Sequence, residues 1–265
     1  MKEAEHIGLD RALSGMGTIT LAQMDGVKLL NRIDVKYVTT EAVLRQILQR
    51  CTAAGYRVLQ TEGGPINSYS TIYYDTPALT MFTHHRNKHL VRQKVRTRCY
   101  LSSGDCFLEI KRKNNHGRTR KKRIGIPRSE MMDFKADAAA CEYLAAHSCF
   151  GAAELSPVLE TAFRRITLVN PALTERLTID TCLHFTNYRS GLGSTLQDAV
   201  IIELKQDGRA ASQMKDILLD LRVKPFRVSK YCVAVTLTQP SARAGRFKLK
   251  VRYIEKLIGN KLVTI

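Results

Sequence analysis

Along most of the chain apolar and polar residues alternate with period two, the mark of strands with one buried and one polar face. The alternation predicts strands over 31–38, 68–75, 91–101, 105–113, 119–126, 157–169, 175–180, 183–188 and 199–206. A helical period is rarer. It is clearest from Thr40 to Ala54, with Thr39 or Thr40 placed as N-cap and Gly55 as the stop. Further helices are expected over 129–147, over 209–221 and around Tyr253–Ile258. No repeat, low-complexity tract or Pro-rich linker divides the sequence, and Glu62–Pro65 and Gly191–Gly193 read as loops. The expected fold class is a single α+β domain dominated by antiparallel strands.

The polar faces of these strands are unusual in being filled with charge. In 31–38, Arg32, Asp34 and Lys36 share one face, and Ile33, Val35 and Tyr37 the other. In 91–101, Arg92, Lys94, Arg96, Arg98 and Tyr100 align. Phe107, Glu109, Lys111 and Lys113 oppose Leu108 and Ile110, while Lys121 and Arg123 oppose Ile124 and Ile126. Arg176, Thr178 and Asp180 share a face, as do Glu203 and Lys205. One such strand is an ordinary solvated face, because charged side chains are mostly exposed. Six together carry more information. If the apolar faces are covered by helices outside, the charged faces converge, and converging cations repel unless an anion neutralises them. A closed antiparallel β-barrel of about eight strands, with helices packed outside, has room for side chains and one slim ligand. The pattern therefore predicts a Lys/Arg-lined tunnel shaped for a linear polyanion, with Arg supplying bidentate phosphate contacts and Lys point charge.

Composition agrees. The 265 residues carry 42 Lys+Arg against 24 Asp+Glu, a formal charge of +18, which favours a polyanionic partner. The densest basic run is KRKNNHGRTRKKR, Lys111–Arg123. By itself that run fits a basic hairpin binding RNA without specificity, but no nucleic-acid-binding motif appears and the chain has no Trp for stacking. No apolar run is long enough to span a bilayer, and the start lacks a signal-peptide pattern, so a cytoplasmic protein is expected. Seven scattered cysteines without a CxxC pair are expected to be reduced thiols.

The charged faces, taken in order, resemble the catalytic domain of the VTC (vacuolar transporter chaperone) polyphosphate polymerases, within the triphosphate tunnel metalloenzyme superfamily. The pieces are Arg32-x-Asp34-x-Lys36-Tyr37, Ser70–Thr76 (STIYYDT), Lys94-x-Arg96-x-Arg98-x-Tyr100, Phe107–Lys113 (FLEIKRK) and Lys121–Arg123. They continue with Pro157, Phe163-x-Arg165, Arg176-x-Thr178-Ile179-Asp180, Glu203-x-Lys205 and Ser229-Lys230-Tyr231. Asp34 stands where the superfamily's ExExK pattern has Glu, and Phe163 where the family usually has Tyr. The resemblance implies an N-terminal extension (1–27), a tunnel catalytic domain (28–240) and a basic C-terminal tail or helix (241–265), without the phosphate-sensing domain and membrane helices of the fuller architecture. It implies transfer of the γ-phosphoryl group of ATP to a growing polyphosphate chain, releasing ADP, with Mn²⁺ or Mg²⁺.

Carried over by position, Arg96, Arg98 and Lys230 would be catalytic, and Lys36, Lys111, Arg165 and Arg176 would grip phosphates, with Arg32 in the first motif beside them. Glu203 would hold the metal, and Glu109 would be either a second ligand or an internal ion-pair partner. Lys94, Lys113, Arg123, Lys205 and Arg227 are further phosphate contacts suggested by their face alone. The partners implied are ATP and polyphosphate, no specific nucleic acid, and a membrane protein for product export left open. Two alternatives stand beside the polymerase: a metal-dependent triphosphatase using the same tunnel, and a non-catalytic polyphosphate or RNA binder. His84, His85 and His89 lack the Glu of HExxH and a third ligand, and are read as surface residues.

Overall fold

The computed structural model describes residues 9–24, 32–208 and 211–264. Its strands are β1 (Gly17–Ile19), β2 (Arg32–Thr40), β3 (Arg57–Leu59), β4 (Ile66–Asp75), β5 (Arg92–Tyr100), β6 (Cys106–Lys113), β7 (Thr119–Ile126), β8 (Ser156–Val169), β9 (Glu175–Asn187), β10 (Gly193–Thr195) and β11 (Ala199–Asp207). Its helices are α1 (residues 9–14), α2 (Leu21–Met24), α3 (Glu41–Ala53), α4 (Thr80–Arg86), α5 (Ala138–His147), α6 (Gln213–Asp220), α7 (Lys230–Thr238) and α8 (Arg246–Ile258). The long strands form one sheet in the order β2-β11-β9-β8-β4-β5-β6-β7, each neighbour antiparallel. The barrel expected to be closed is open at one seam, because no ladder joins β2 to β7 among the described residues. Part of the outer edge of β2 is taken instead by the segment before α7: Tyr37 bridges Pro225, and the Phe226 amide donates to the Lys36 carbonyl at 2.6 Å. The β7 edge is protected by charge, its first five residues being exposed and four of those Lys or Arg.

The convex face is apolar and covered twice. Leu44, Ile47 and Leu48 of α3 and Met214 and Leu218 of α6 pack on Ile166, Leu168, Leu177, Ile179, Ile202 and Leu204. Leu9 and Leu13 of α1 join this layer, so residues before the expected catalytic domain contribute to its core. Phe134, Ala140 and Leu144 cover Ile72, Val95, Leu108 and Ile110 on the other half. Full burial of each aliphatic side chain stabilises by roughly 1.5–3 kcal/mol.

The concave face is divided. One half is charged; the other is filled by α7, whose Tyr231 and Val235 pack with Val38, Tyr69, Leu159, Phe163, Phe185 and Ile201. A β-bulge makes the division possible. The segments expected as separate strands, 175–180 and 183–188, are one strand, β9, with Cys182 at φ +50° and a register shift opposite Ala162 and Arg164. The extra residue inverts the alternation, so Asp180 and Phe185 lie on the same face despite their odd spacing.

Helix α7 was not expected, because its sequence KYCVAVTLT is β-branched and apolar all round. Burial on every side overrides that propensity. The expected helix over 129–147 is two short 3₁₀ turns followed by α5, because the Asp133 and Asp137 carboxylates accept from Lys135 and Ala140 amides and restart the backbone. The C-terminal helix is longer than expected and buries Phe247, Val251 and Ile254. Residues 31 and 209–210 of the expected elements lie outside the described residues.

Cys99 and Cys106 oppose one another across β5 and β6, with Cα atoms 4.2 Å apart and sulfurs bonded. The expectation of reduced thiols therefore fails for this pair and holds for Cys51, Cys141, Cys149, Cys182 and Cys232. A tight hairpin brings cross-strand neighbours into the range a disulfide needs.

Asp75, fully buried at the end of β4, ties α7 to the sheet. Its carboxylate accepts from the amides of Thr76 (2.8 Å), Met81 and Phe82 (both 2.9 Å) and from the Tyr231 hydroxyl (2.6 Å). It thereby caps α4, whose own N-cap Leu79 has no side-chain acceptor. Asp75→Ala leaves these donors buried without a partner and is expected to destabilise the fold by about 3 kcal/mol or more. Urea unfolding measures this, and a loss below about 1 kcal/mol would mean that the carboxylate is not the clamp.

Candidate functional site

Antiparallel register places directly opposed residues on one face. Lys36 opposes Glu203, Glu203 opposes Thr178, and Lys205 opposes both Asp34 and Arg176. On the other side, Arg165 opposes Asp180, Thr71 opposes Arg98, and Tyr73 opposes Arg96. Arg96 then opposes Glu109, which opposes Arg123, while Lys94 opposes Lys111, which opposes Lys121. The charged positions seen as separate alternations are therefore one continuous surface.

Three carboxylates on this surface are each held by two cations. Glu203 pairs with Lys36 and lies 3.7 Å from Lys205. Glu109, only 1% exposed, accepts from Arg96 Nε at 2.7 Å and pairs with Lys121. Asp180 accepts from Arg165 Nε at 2.6 Å and Nη2 at 2.9 Å, and from Lys230. Burial would push these carboxyls up, but the cations hold all three well below the usual carboxylate range: Arg165 and Lys230 for Asp180, Arg96 for Glu109, Lys36 for Glu203.

The cations still exceed these partners. Among the described residues Lys94, Arg98 and Lys111 have no carboxylate within 4.0 Å. Arg98 is 7% exposed, its Nε donating to Thr71 Oγ1 at 3.1 Å, and burial and then Arg96 push its pKa down. Lys94 donates to Ser229 Oγ at 2.8 Å. Lys111 opens to solvent along the groove yet is ringed by protein, and burial brings its pKa down to about 8. Lys121 and Lys230 also fall to about 8, burial again being the largest cause. Burial pushes the Tyr73 phenol up, but Arg96, Lys94 and Arg98 outweigh it and leave it at about 8. Lys230 opens α7, so the positive end of that helix faces the same space. Phe163 forms an apolar floor, with Lys230 Nζ at 4.0 Å and Arg165 at 5.2 Å from its ring centre.

Most of the expected site residues are brought together here: Lys36, Lys94, Arg96, Arg98, Lys111, Arg165, Arg176, Lys205, Lys230, Glu109 and Glu203. Lys113 sits at the rim, opposite Arg92. Arg123 is exposed on β7 with its guanidinium 4.4 Å from the Phe107 ring centre. Arg227 is not brought in; its side chain is exposed in the loop before α7. Arg32 opposes Asp207 in the β2–β11 ladder, and its side chain lies outside the described residues. Glu109 is enclosed as an internal ion-pair partner. The roles of Asp180, Lys121, Tyr73 and Ser229 were missed, although the parity of Asp180 with Arg176 and of Lys121 with Arg123 marked their faces. His84 and His89 stack 4.7 Å apart, His85 turns to Cys232 Sγ at 3.2 Å, and no cluster of three metal-ligating side chains occurs among the described residues.

The VTC domain profile matches residues 31–239. The chain belongs to the VTC domain family. The match covers every strand of the charged surface and α7, and stops before α8. No curated protein matches the sequence significantly. Solved structures similar to this VTC domain include adenylate cyclase candidates from Vibrio parahaemolyticus (11% identity, 76% of this chain and 96% of that one, TM-score 0.45) and Bacillus halodurans (11%, 76% and 96%, 0.48). Another is an adenylyl cyclase candidate from Hippeastrum with a dominant triphosphatase activity (15%, 77% and 95%, 0.48). At these TM-scores the likenesses carry no weight for activity. No helix among the described residues is long and apolar enough to cross a membrane.

The depressed lysines predict a proton linkage. An ammonium with pKa about 8 is part-neutral at that pH, and a bound polyanion restores its charge. Binding of tripolyphosphate at pH about 8 is thus expected to take up protons, and affinity to fall as pH rises from about 7 to about 9. Calorimetry in buffers of different ionisation enthalpy measures the net proton change; once the proton released by the terminal phosphate of tripolyphosphate itself is subtracted, zero uptake at pH 8 would contradict these environments.

Proposed function

We propose that this VTC domain is a polyphosphate polymerase. A terminal oxygen of the phosphate chain attacks the γ-phosphorus of ATP, the bond from that phosphorus to the β–γ bridging oxygen breaks, and ADP leaves. The observation that carries this reading is Arg98, buried between other cations with no carboxylate in ion-pair reach among the described residues. A buried charge without a counter-charge is costly, and a phosphate chain supplies the missing anion. Phosphoryl transfer asks mainly for positioning and charge neutralisation, which Arg96, Arg98, Lys111, Arg165 and Lys230 can provide on one side and Lys36, Arg176 and Lys205 on the other.

A divalent metal fits one carboxylate here. Glu203 pairs with Lys36 through Oε1, its Oε2 lies 3.7 Å from Lys205 Nζ, and its side chain is 20% exposed, so this carboxylate would be the one to hold a divalent cation. Both oxygens of Glu109 are already occupied. Mn²⁺ or Mg²⁺ held there would supply further positive charge to neutralise the phosphates. With water as acceptor the same cations would serve a triphosphatase, and the products separate the two reactions. Purified protein with ATP and Mn²⁺ is expected to release ADP and a ladder of long phosphate polymers on a gel. ADP with only orthophosphate would replace the polymerase by a triphosphatase, and tight polyphosphate binding without turnover would leave a binder.

Arg98→Met separates function from stability. Turnover is expected to drop about 100-fold or more, the scale of removing one transition-state donor. The unliganded variant should melt no lower than the wild type, since a repelled cation has been replaced by an apolar chain of similar reach. A clearly lower melting temperature would show that Arg98 supports the fold and not the anion. Glu203→Gln should abolish the dependence of turnover on metal concentration while tripolyphosphate still binds.

A further inference from the structure

The basic surface continues past the concave face onto α8, outside the region shared with the family. Two residues before Ser229, which holds Lys94, the Arg227 carbonyl accepts from Lys250 Nζ of α8. The same ammonium lies 4.9 Å from the Phe226 ring centre, and Phe226 stacks on Tyr253 at 4.4 Å. Phe226 is also the residue whose amide bonds the Lys36 carbonyl. The Pro225–Ser229 segment is thus tied on one side to strands lining the charged surface and on the other to α8. With Cα atoms 3.8 Å apart along the chain, the Lys250 and Lys94 ammonium groups are separated by roughly 15 Å at most.

From β5 the concave face runs outward from Lys94 to Arg92, which donates to the His89 carbonyl at 2.6 Å, with Lys88 just beyond. The contacts converge on one place: His85 of α4 lies 3.2 Å from Cys232 Sγ of α7 and 5.8 Å from the Phe247 ring centre of α8, and Arg86 donates to the Arg243 carbonyl at 2.7 Å. His85 is kept neutral by burial and then by Lys94, Arg92, Lys250 and Lys111, which come from β5, α8 and β6. Lys250 itself is pushed down by burial, then by Arg227, with Lys88 adding to it. Among the described residues Lys88, Arg92, Arg246 and Lys250 have no carboxylate within 4.0 Å. Arg246 is exposed one helical turn before Lys250.

We propose that Arg92, Lys88, Lys250 and Arg246 form a lane that binds the outer stretch of a polyphosphate chain whose end lies among the tunnel cations. The proposal rests on the polyphosphate reading above. The lane adds affinity for long chains without touching the reacting phosphates, and it gives the C-terminal helix a task. A membrane surface is the less favoured occupant. The exposed Leu249 is a small apolar area for insertion, Tyr253 is engaged by Phe226, and Lys250 turns toward the tunnel-side segment rather than outward.

Binding is measured for tripolyphosphate, which reaches only the tunnel, and for long-chain polyphosphate, over a range of salt. For the double variant Lys88→Glu/Lys250→Glu, and separately for the surface variant Lys88→Glu/Arg246→Glu, tripolyphosphate affinity should match the wild type. Long-chain affinity should fall about tenfold or more, and the slope of log affinity against log salt should shrink by about 0.7 per lost contact. Unchanged long-chain affinity in the surface variant overturns the lane. So does a loss confined to phosphatidylserine vesicles, which would assign α8 to a membrane. If the wild type binds no tripolyphosphate, the tunnel reading itself fails and the lane with it.

Discussion

The structure turns on an imbalance of charge held on one concave surface. Three carboxylates, Glu109, Asp180 and Glu203, are each shared between two cations. These pairs offset enough repulsion for the sheet to fold, and they leave Arg98, Lys94 and Lys111 without a carboxylate among the described residues. That residue of uncompensated charge is what an anion would neutralise. A surface with equal numbers of both signs would be stable and inert, whereas one with cations alone would not hold its curvature against their repulsion. The site is therefore a region where stability is given up for affinity, and a bound polyanion would restore it.

The rest of the fold serves this surface. Helices α3, α5 and α6 cover the convex side, as any half-buried sheet requires. Helix α7 does something less usual: it enters the concave side and divides it. The bulge at Cys182 turns Leu183 and Phe185 onto that side, where they meet Tyr231 and its neighbours, while Asp180, on the other side of the bulge, stays among the cations. Asp75 then holds α7 and α4 together through Tyr231 and the first amides of α4. Lys230 is thus delivered to Asp180 by a helix end, with the helix dipole pointing at the same space.

The open seam between β2 and β7 links the site to its surroundings. Pro225 and Phe226 take part of the β2 edge that a closed barrel would have given to β7, and they connect directly to α8. A closed ladder would have isolated the tunnel from the C-terminal helix. In the open arrangement the same segment contacts Lys36, Lys94 and Lys250 within a few residues, which is why the basic surface runs on without a break.

Much of this was legible in the amino-acid sequence because a strand's side chains alternate with period two, whatever the strand pairs with. Alternation alone marked the long strands, put Lys36, Arg96, Arg98, Lys111 and Glu203 on polar faces, and implied that those faces meet; Arg165 came only from the family resemblance. Other features depend on contacts between distant segments, and no local pattern encodes them. The Cys182 bulge, the burial of β-branched α7, the Cys99–Cys106 pairing and the capture of the β2 edge by Pro225 are of this kind. So are the choices of partner: that Glu109 is sealed by Arg96 and Lys121, that Asp180 joins Arg165 to Lys230, and that Arg98 is left over. Periodicity sets which way a side chain points, because it follows from backbone geometry. Which charge it meets there is set by register and by what packs across the gap, and only the tertiary structure decides that.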